Sequence, residues 1–272
     1  MKKLVIIVTV PVVLETWFKG QPRYLSSYYD VTIITSDAPS VQKIAAYENV
    51  TVKTIEFNRK INPILDAKVF KALLGHLDVL KPDIVYTLTP KAGLLGMLAA
   101  WVKRVPVRIH NVVGLPLMEA KGKKKVILEI TERMTYFCCT HLYANSFNLQ
   151  AYIQKHLTRK KVHVVGQGSV NGVDVEWFSD KFSFDEKSAL KESLGIARES
   201  FVIAFIGRIV KDKGVNELIE AFEALSQKYQ HISLLILGDF EEELDPVSAK
   251  TKEIILNYSR IVRVTFKDDV RP

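Results

Sequence analysis

The chain has 272 residues, 48% hydrophobic and 25% charged, a globular profile that excludes a disordered or low-complexity protein. The net charge of +8 is uneven: residues 1–176 hold 24 Lys and Arg against 13 Asp and Glu, and residues 177–272 hold 14 against 17. A basic face of this kind attracts nucleic acid, an anionic membrane or a phosphorylated substrate, or is plain solvated surface. The two basic runs, Lys121-Gly122-Lys123-Lys124-Lys125 and Arg159-Lys160-Lys161, lack interleaved aromatics, which argues against nucleic acid.

In chain order, Lys3–Thr9 is an apolar, β-branched run. Its apolar core of about seven residues, with no small-residue cleavage site behind it, favours a buried first strand over a signal peptide. Val31–Ser36 and Val50–Phe57 are further strands. Ile64 to Leu80 carries apolar residues at helical spacing, stopped by Lys81-Pro82-Asp83, and Ile84–Leu88 follows as a strand. A helix over Ala92–Lys103 leads to the strand Val107–His110. Its apolar part falls short of the ~20 residues a membrane span needs, so a cytosolic protein is expected.

A helix over Lys124–Thr140 contains the adjacent Cys138 and Cys139, a pair suited to neither a disulfide nor a metal site and read as small core hydrophobes. Then come a strand at Leu142–Ala144, a helix near Leu149–His156 and a strand at Val162–Val165. Gly166 to Asp174 is rich in Gly and polar residues and reads as a linker or hinge, extended here to 166–176. The rhythm restarts with helix Asp185–Leu194, strand Phe201–Ile206, helix Val215–Tyr229, strand Ile232–Leu237, helix Ala249–Tyr258 and strand Ile261–Phe266. Such alternation predicts an α/β fold with a mostly parallel sheet. Two domains are expected, 1–176 and a smaller 177–272 with about half the elements of a doubly wound domain.

Ligands of open α/β sheets bind beyond the carboxyl ends of strands, often at helix N-termini. Strand Phe201–Ile206 runs into Gly207-Arg208-Ile209-Val210-Lys211-Asp212-Lys213-Gly214, and a helix starts at about Val215. Arg208 offers a planar fork to phosphate oxygens and Lys213 a compact charge. The spacing fits a diphosphate cradle; a basic surface loop is the alternative.

Several separated stretches together resemble family 4 glycosyltransferases. Gly207-Arg208, Lys213-Gly214 and Glu217 to Phe222 look like the family's donor-phosphate segment, and Asn171-Gly172-Val173-Asp174 with Phe178 resembles its hinge. Thr89 to Gly96, Arg108-Ile109-His110 with Gly114-Leu115-Pro116, and Gly238 to Pro246 resemble a bacterial capsule and O-antigen branch. The resemblance implies a GT-B fold of two Rossmann-like domains. The C-terminal one would bind a nucleotide-sugar donor and the N-terminal one a lipid-linked, polyprenyl-diphosphate glycan acceptor.

By the same resemblance, His110, Arg208 and Lys213 are catalytic, with His110 closing its strand toward the site. Gly20, Gly207, Gly214 and Gly238 join Arg208 and Lys213 in donor binding. Lys91, Lys123, Lys124 and Lys125 face the acceptor and membrane, and Asn171, Gly172 and Asp174 form the hinge. No cofactor or metal is expected beyond the nucleotide-sugar co-substrate, and retention of configuration is implied. The implied location is cytoplasmic, peripheral on the inner face of a bacterial inner membrane. His110 as a hydrogen-bonded structural histidine, and Gly20 as a mere helix breaker beside Pro22, stay open as alternatives. The family often has histidines in the Ile84–Leu88 strand, where Tyr86 and Leu88 stand here.

The family's second donor motif, two glutamates in a Gly-rich segment that hold ribose and sugar, would lie beyond Pro272. Glu241, Glu242 and Glu243 come too early and too closely spaced to replace it. The expectation is therefore an incomplete second domain with an unpaired sheet edge, exposed apolar surface and weak donor affinity. A catalytically inactive remnant that keeps only acceptor, membrane or partner binding is the alternative function. A nucleotide-sugar 2-epimerase on the same fold is a third reading.

Overall fold

The computed structural model describes residues 1–58, 62–176, 178–242 and 245–265. The chain divides into two compact units, Met1–Asp174 and Val175–Pro272.

In the first unit the elements run β1 (Lys2–Ile7), α1 (Val12–Glu15), α2 (Gln21–Ser26), β2 (Tyr29–Thr35), α3 (Val41–Glu48), β3 (Thr51–Thr54), α4 (Pro63–Leu80) and β4 (Ile84–Thr87). They continue with α5 (Pro90–Val102), β5 (Val107–Val112), α6 (Gly122–Cys138), β6 (His141–Ala144), α7 (Phe147–His156) and β7 (Val162–His163). The strands form one parallel sheet in the order β3-β2-β1-β4-β5-β6-β7. The order reverses between β1 and β4, the switch point at which doubly wound sheets open a crevice.

Alternation along β1 shows why this sheet is sandwiched. Val5 and Ile7 point into a core shared with α4 to α7, while Leu4 and Ile6 point into a second core under α1, α2 and α3. Of the apolar positions expected on α4, Val69, Leu73 and Leu77 are buried, whereas Ile64 lies in the exposed first turn. That turn is capped by Asn62, whose Oδ1 accepts from the Leu65 amide at 3.2 Å. Helix α5 reaches the sheet through glycines: a Cβ on Gly96 would overlap Thr87 and press on Ile7. Cys138 and Cys139 are buried free thiols, and burial pushes the Cys139 thiol up to about 11, as the hydrophobe reading requires.

The second unit contains α8 (Phe184–Ser193), β8 (Phe201–Ile206), α9 (Val215–Lys228), β9 (Ile232–Leu237), α10 (Ala249–Asn257) and β10 (Ile261–Val264). Its parallel sheet has the order β10-β9-β8. Ser183 and Glu186 start α8 with a reciprocal capping box. The core gathers Val215, Ile219 and Phe222 of α9 against Leu234 and Ile236 of β9 and Ile255 of α10. Strand β8 is an edge of this sheet among the described residues, and its Phe201 and Ile206 are each 70% exposed. Phe266, expected to end the last strand, lies outside the described residues, as do Glu243, Leu244 and Asp268 to Pro272.

Candidate functional site

The loop from β8 to α9 is pinned to the core at its middle. Ile209, Val210 and Val215 are buried, holding the loop to the core. Arg208 and Lys213 are exposed on either side of that anchor. Gly207 leaves β8 at φ +152°, and Gly214 takes the left-handed conformation at φ +70° that starts α9. Lys211–Lys213 form a single 3₁₀ turn between them.

The loop is braced from a neighbouring segment. The Asp212 amide donates to Asp245 Oδ2 at 2.7 Å, and the Lys211 amide to the Asp245 carbonyl at 3.2 Å. On the other side, the Gly207 amide donates to the Leu237 carbonyl and the Ile209 amide to the Asp239 carbonyl, tying the end of β8 to the end of β9. Gly238 stands at φ +156°, and its backbone packs directly on the Gly207 carbonyl.

Arg208 Nη1 stands 4.0 Å from Glu241 Oε2, a loose ion pair with the Arg side chain 65% exposed. No side chain caps the start of α9. The loop thus carries a guanidinium just past a strand end and an ammonium just before a helix N-terminus. That arrangement can bind a diphosphate and stabilise negative charge leaving with it.

The expected residues of the first unit fare differently. His110 does not close its strand: β5 continues to Val112, and the imidazole is only 2% exposed. Its Nδ1 shares a hydrogen bond with Thr87 Oγ1 at 2.8 Å, its ring lies 6.2 Å from that of Tyr136, and Gly93 packs over it. Burial pulls its pKa down to about 4. The geometry corrects the expectation of a histidine facing an open site, because position 110 falls on the core side of the strand.

Gly20 starts α2 at φ +83°, and its amide already donates to Glu48 Oε1 at 2.8 Å, with Arg23 N–H on the other carboxylate oxygen at 3.0 Å. The Glu48 carboxylate thus engages the amides at the start of α2. Lys91 is engaged as well, with Nζ 2.8 Å from Asp66 Oδ1 in a half-buried ion pair. Lys123, Lys124 and Lys125 are exposed in the first turn of α6.

Asn171 anchors the segment after β7. Its Nδ2 donates to the Lys19 carbonyl at 2.9 Å, and its Oδ1 accepts from Gln21 Nε2 at 2.9 Å. Gly172 turns at φ +70° with its amide on Ser169 Oγ at 3.2 Å, and Asp174 is the last residue of the first unit.

Sequence reasoning missed a cavity of about 570 Å³ beneath this segment, lined by Gln21, Tyr86, Asn111, Tyr143, Gly168 and Asn171 among others. Asn111 Nδ2 donates to the Tyr86 hydroxyl at 3.3 Å, and burial pushes the Tyr86 pKa up to about 12. The signal was available only through strand register, which pairs β5 with β4 and β6 and sets Tyr86, Asn111 and Tyr143 on one face. Among the described residues no cluster of His, Cys, Asp or Glu could hold a metal ion.

Comparison with known proteins follows the same division. A family model described as glycosyl transferase 4-like matches residues 10–146, and one described as glycosyl transferases group 1 matches residues 186–270. The Staphylococcus aureus capsular polysaccharide biosynthesis glycosyltransferase CapM is 35% identical over 228 residues, which cover 83% of this chain and 58% of that protein. The Escherichia coli UDP-Gal:alpha-D-GlcNAc-diphosphoundecaprenol alpha-1,3-galactosyltransferase is 32% identical over 167 residues, 60% of this chain and 41% of that protein. The chain thus spans about half the length of these relatives. Among solved structures, Anabaena Alr3699/HepE in complex with UDP and glucose superposes with a TM-score of 0.69 at 17% identity, covering 98% of this chain and 70% of that one. With one family model covering half of the sequence, a second covering the β8–α9 loop, and the parallel α/β fold shared, the chain belongs to the glycosyl transferase 4-like family and has the fold of GT-B glycosyltransferases.

Proposed function

We propose that this chain transfers a sugar from a nucleotide-sugar donor to a lipid-linked, polyprenyl-diphosphate glycan in surface polysaccharide biosynthesis, with retention of anomeric configuration and without a metal. The observation that carries the reading is the β8–α9 loop, where Arg208, Lys213 and the start of α9 stand together on a braced backbone. Supporting it, CapM is named for capsular polysaccharide biosynthesis and the Escherichia coli relative for a diphosphoundecaprenol acceptor.

The chemistry balances on these groups. The acceptor hydroxyl oxygen bonds to the anomeric carbon as the bond from that carbon to the diphosphate breaks. The electron pair leaves with the diphosphate, whose growing charge Arg208 and Lys213 neutralise. A diphosphate oxygen on the same face takes the hydroxyl proton. The acceptor then approaches through the first unit, working at the cytoplasmic face of an anionic membrane.

The test is transfer from a panel of UDP- and GDP-sugars to a short polyprenyl-diphosphate glycan, with and without EDTA, and NMR of the product's anomeric proton. Transfer with retained configuration, unaffected by EDTA, supports the proposal. Conversion of the donor to an epimer without acceptor would replace it with the 2-epimerase reading. Donor binding without turnover would replace it with the non-catalytic one.

A further inference from the structure

We infer that Asp245 is a positioning residue for the donor diphosphate, fixing the turn that carries Lys213 without touching the donor itself. The inference deepens the proposed function and rests on it. Lys213→Ala alone tests that reading, and Asp245 is read against it, so the two can fail separately.

The backbone of the β8–α9 loop is committed to its own turns and braces. The amides of Gly207, Ile209, Val210, Lys211, Asp212, Lys213 and Gly214 all donate to oxygens of the second unit. They do not form the open nest of N–H groups that cradles phosphate in other loops. Recognition of an anion then falls to the side chains of Arg208 and Lys213 and to the first turn of α9. Long side chains hold an anion in one geometry only when the backbone beneath them is fixed.

The strap Asp245-Pro246-Val247-Ser248 fixes it. The ring of Pro246 disfavours the helical region for Asp245. Asp245 takes two consecutive amides of the loop, that of Lys211 on its carbonyl at 3.2 Å and that of Asp212 on Oδ2 at 2.7 Å. Val247 packs on the core of the unit, and the Ser248 amide donates to Asn216 Oδ1, in the first turn of α9, at 3.0 Å. The strap therefore grips the turn Lys211–Lys213 on one side and the start of α9 on the other, with Gly214 between them. The carbonyl contact survives any substitution at position 245, so a change there removes the 2.7 Å contact alone. By charge alone, an aspartate beside an anion site repels the anion, and its loss should tighten binding. A positioning role predicts the opposite sign.

The experiment is isothermal titration of UDP into the full chain and its variants at one fixed salt concentration. Asp245→Ala should weaken binding about 10-fold, the scale of one hydrogen bond to a charged acceptor. Asp245→Asn keeps an acceptor oxygen for the Asp212 amide and should stay within about 3-fold of the parent. In the Lys213→Ala background, Asp245→Ala should cost less than about 2-fold further, because the group it positions is gone. Hydrogen exchange should quicken over residues 207–214 of the Asp245→Ala variant and stay unchanged in β9 and α10, the sign that the unit still folds. Tighter binding by Asp245→Ala, an Asn variant as weak as the Ala variant, a loss that persists undiminished in the Lys213→Ala background, or faster exchange throughout the unit would overturn the inference. A parent that binds no UDP, or a Lys213→Ala variant that binds it like the parent, would overturn the donor reading and the inference with it.

Discussion

Gly238 lies against Gly207 so closely that a Cβ on Gly238 would occupy the space of the Gly207 carbonyl oxygen. The two strands that carry the candidate diphosphate site, β8 and β9, therefore leave their sheet in contact, and the course of Arg208 depends on that contact. Gly238→Ala is expected to push the two strand ends apart and to cost about 2–3 kcal/mol, combining overlap with a strained φ. Urea unfolding of the purified variant measures it. A variant as stable as the parent would show that the contact is not needed.

Arg208 and Lys213 are exposed, so their replacement by Ala should leave stability within about 0.5 kcal/mol. Transfer should nevertheless fall by roughly 10²–10³ for each, the usual loss when one charge-stabilising group is removed. Single-turnover rates beside melting curves make the comparison. Loss of folding in step with loss of rate would assign these residues to structure instead.

Gly93 packs over the His110 imidazole, and a Cβ at that position would overlap the ring. Gly93→Ala is expected to destabilise the first unit by about 1–3 kcal/mol, the range for overpacking a filled interior. Combining it with His110→Ala should recover part of that loss, since the ring that clashes is gone. The double-mutant cycle reads the coupling directly.

Two buried groups give stability a pH dependence of opposite signs. Burial pushes Glu132 up from 4.5 to about 7, so the folded state keeps a proton that the unfolded state releases, and stability falls as pH rises through 4.5–7. Burial pulls His110 down from 6.5 to about 4, so the unfolded state binds a proton first, and stability falls as pH drops through 6.5–4. The two slopes offset each other between pH 4.5 and 6.5, so Glu132→Gln should remove the decline on the neutral side and unmask the full His110 decline from pH 6.5 downward. Urea midpoints from pH 4 to 8 test it; an unchanged profile in the variant would contradict the assignment.

The strands β8 and β9 were legible residue for residue, because each is a short apolar, β-branched run bounded by a glycine. The position of the β8–α9 loop was legible for the same reason: a glycine, an arginine, a lysine and a second glycine separate a strand from a helix. Helices α1 and α2 were not, being 4 and 6 residues long, too short to show a period, with Gly20 and Pro22 breaking the pattern. His110 was misplaced because β5 runs two residues further, through Asn111 and Val112, than its apolar start suggests. The cavity under Asn171 depends on which strands lie side by side, and spacing along the chain does not carry that information.

Isothermal titration of a UDP-sugar into the full chain, beside the Arg208→Ala and Lys213→Ala double variant, tests the central claim most directly. The account predicts measurable binding to the parent, at least 10-fold weaker binding to the variant, and an unchanged melting curve without ligand. Equal affinity for both chains would contradict a donor diphosphate held at the β8–α9 loop.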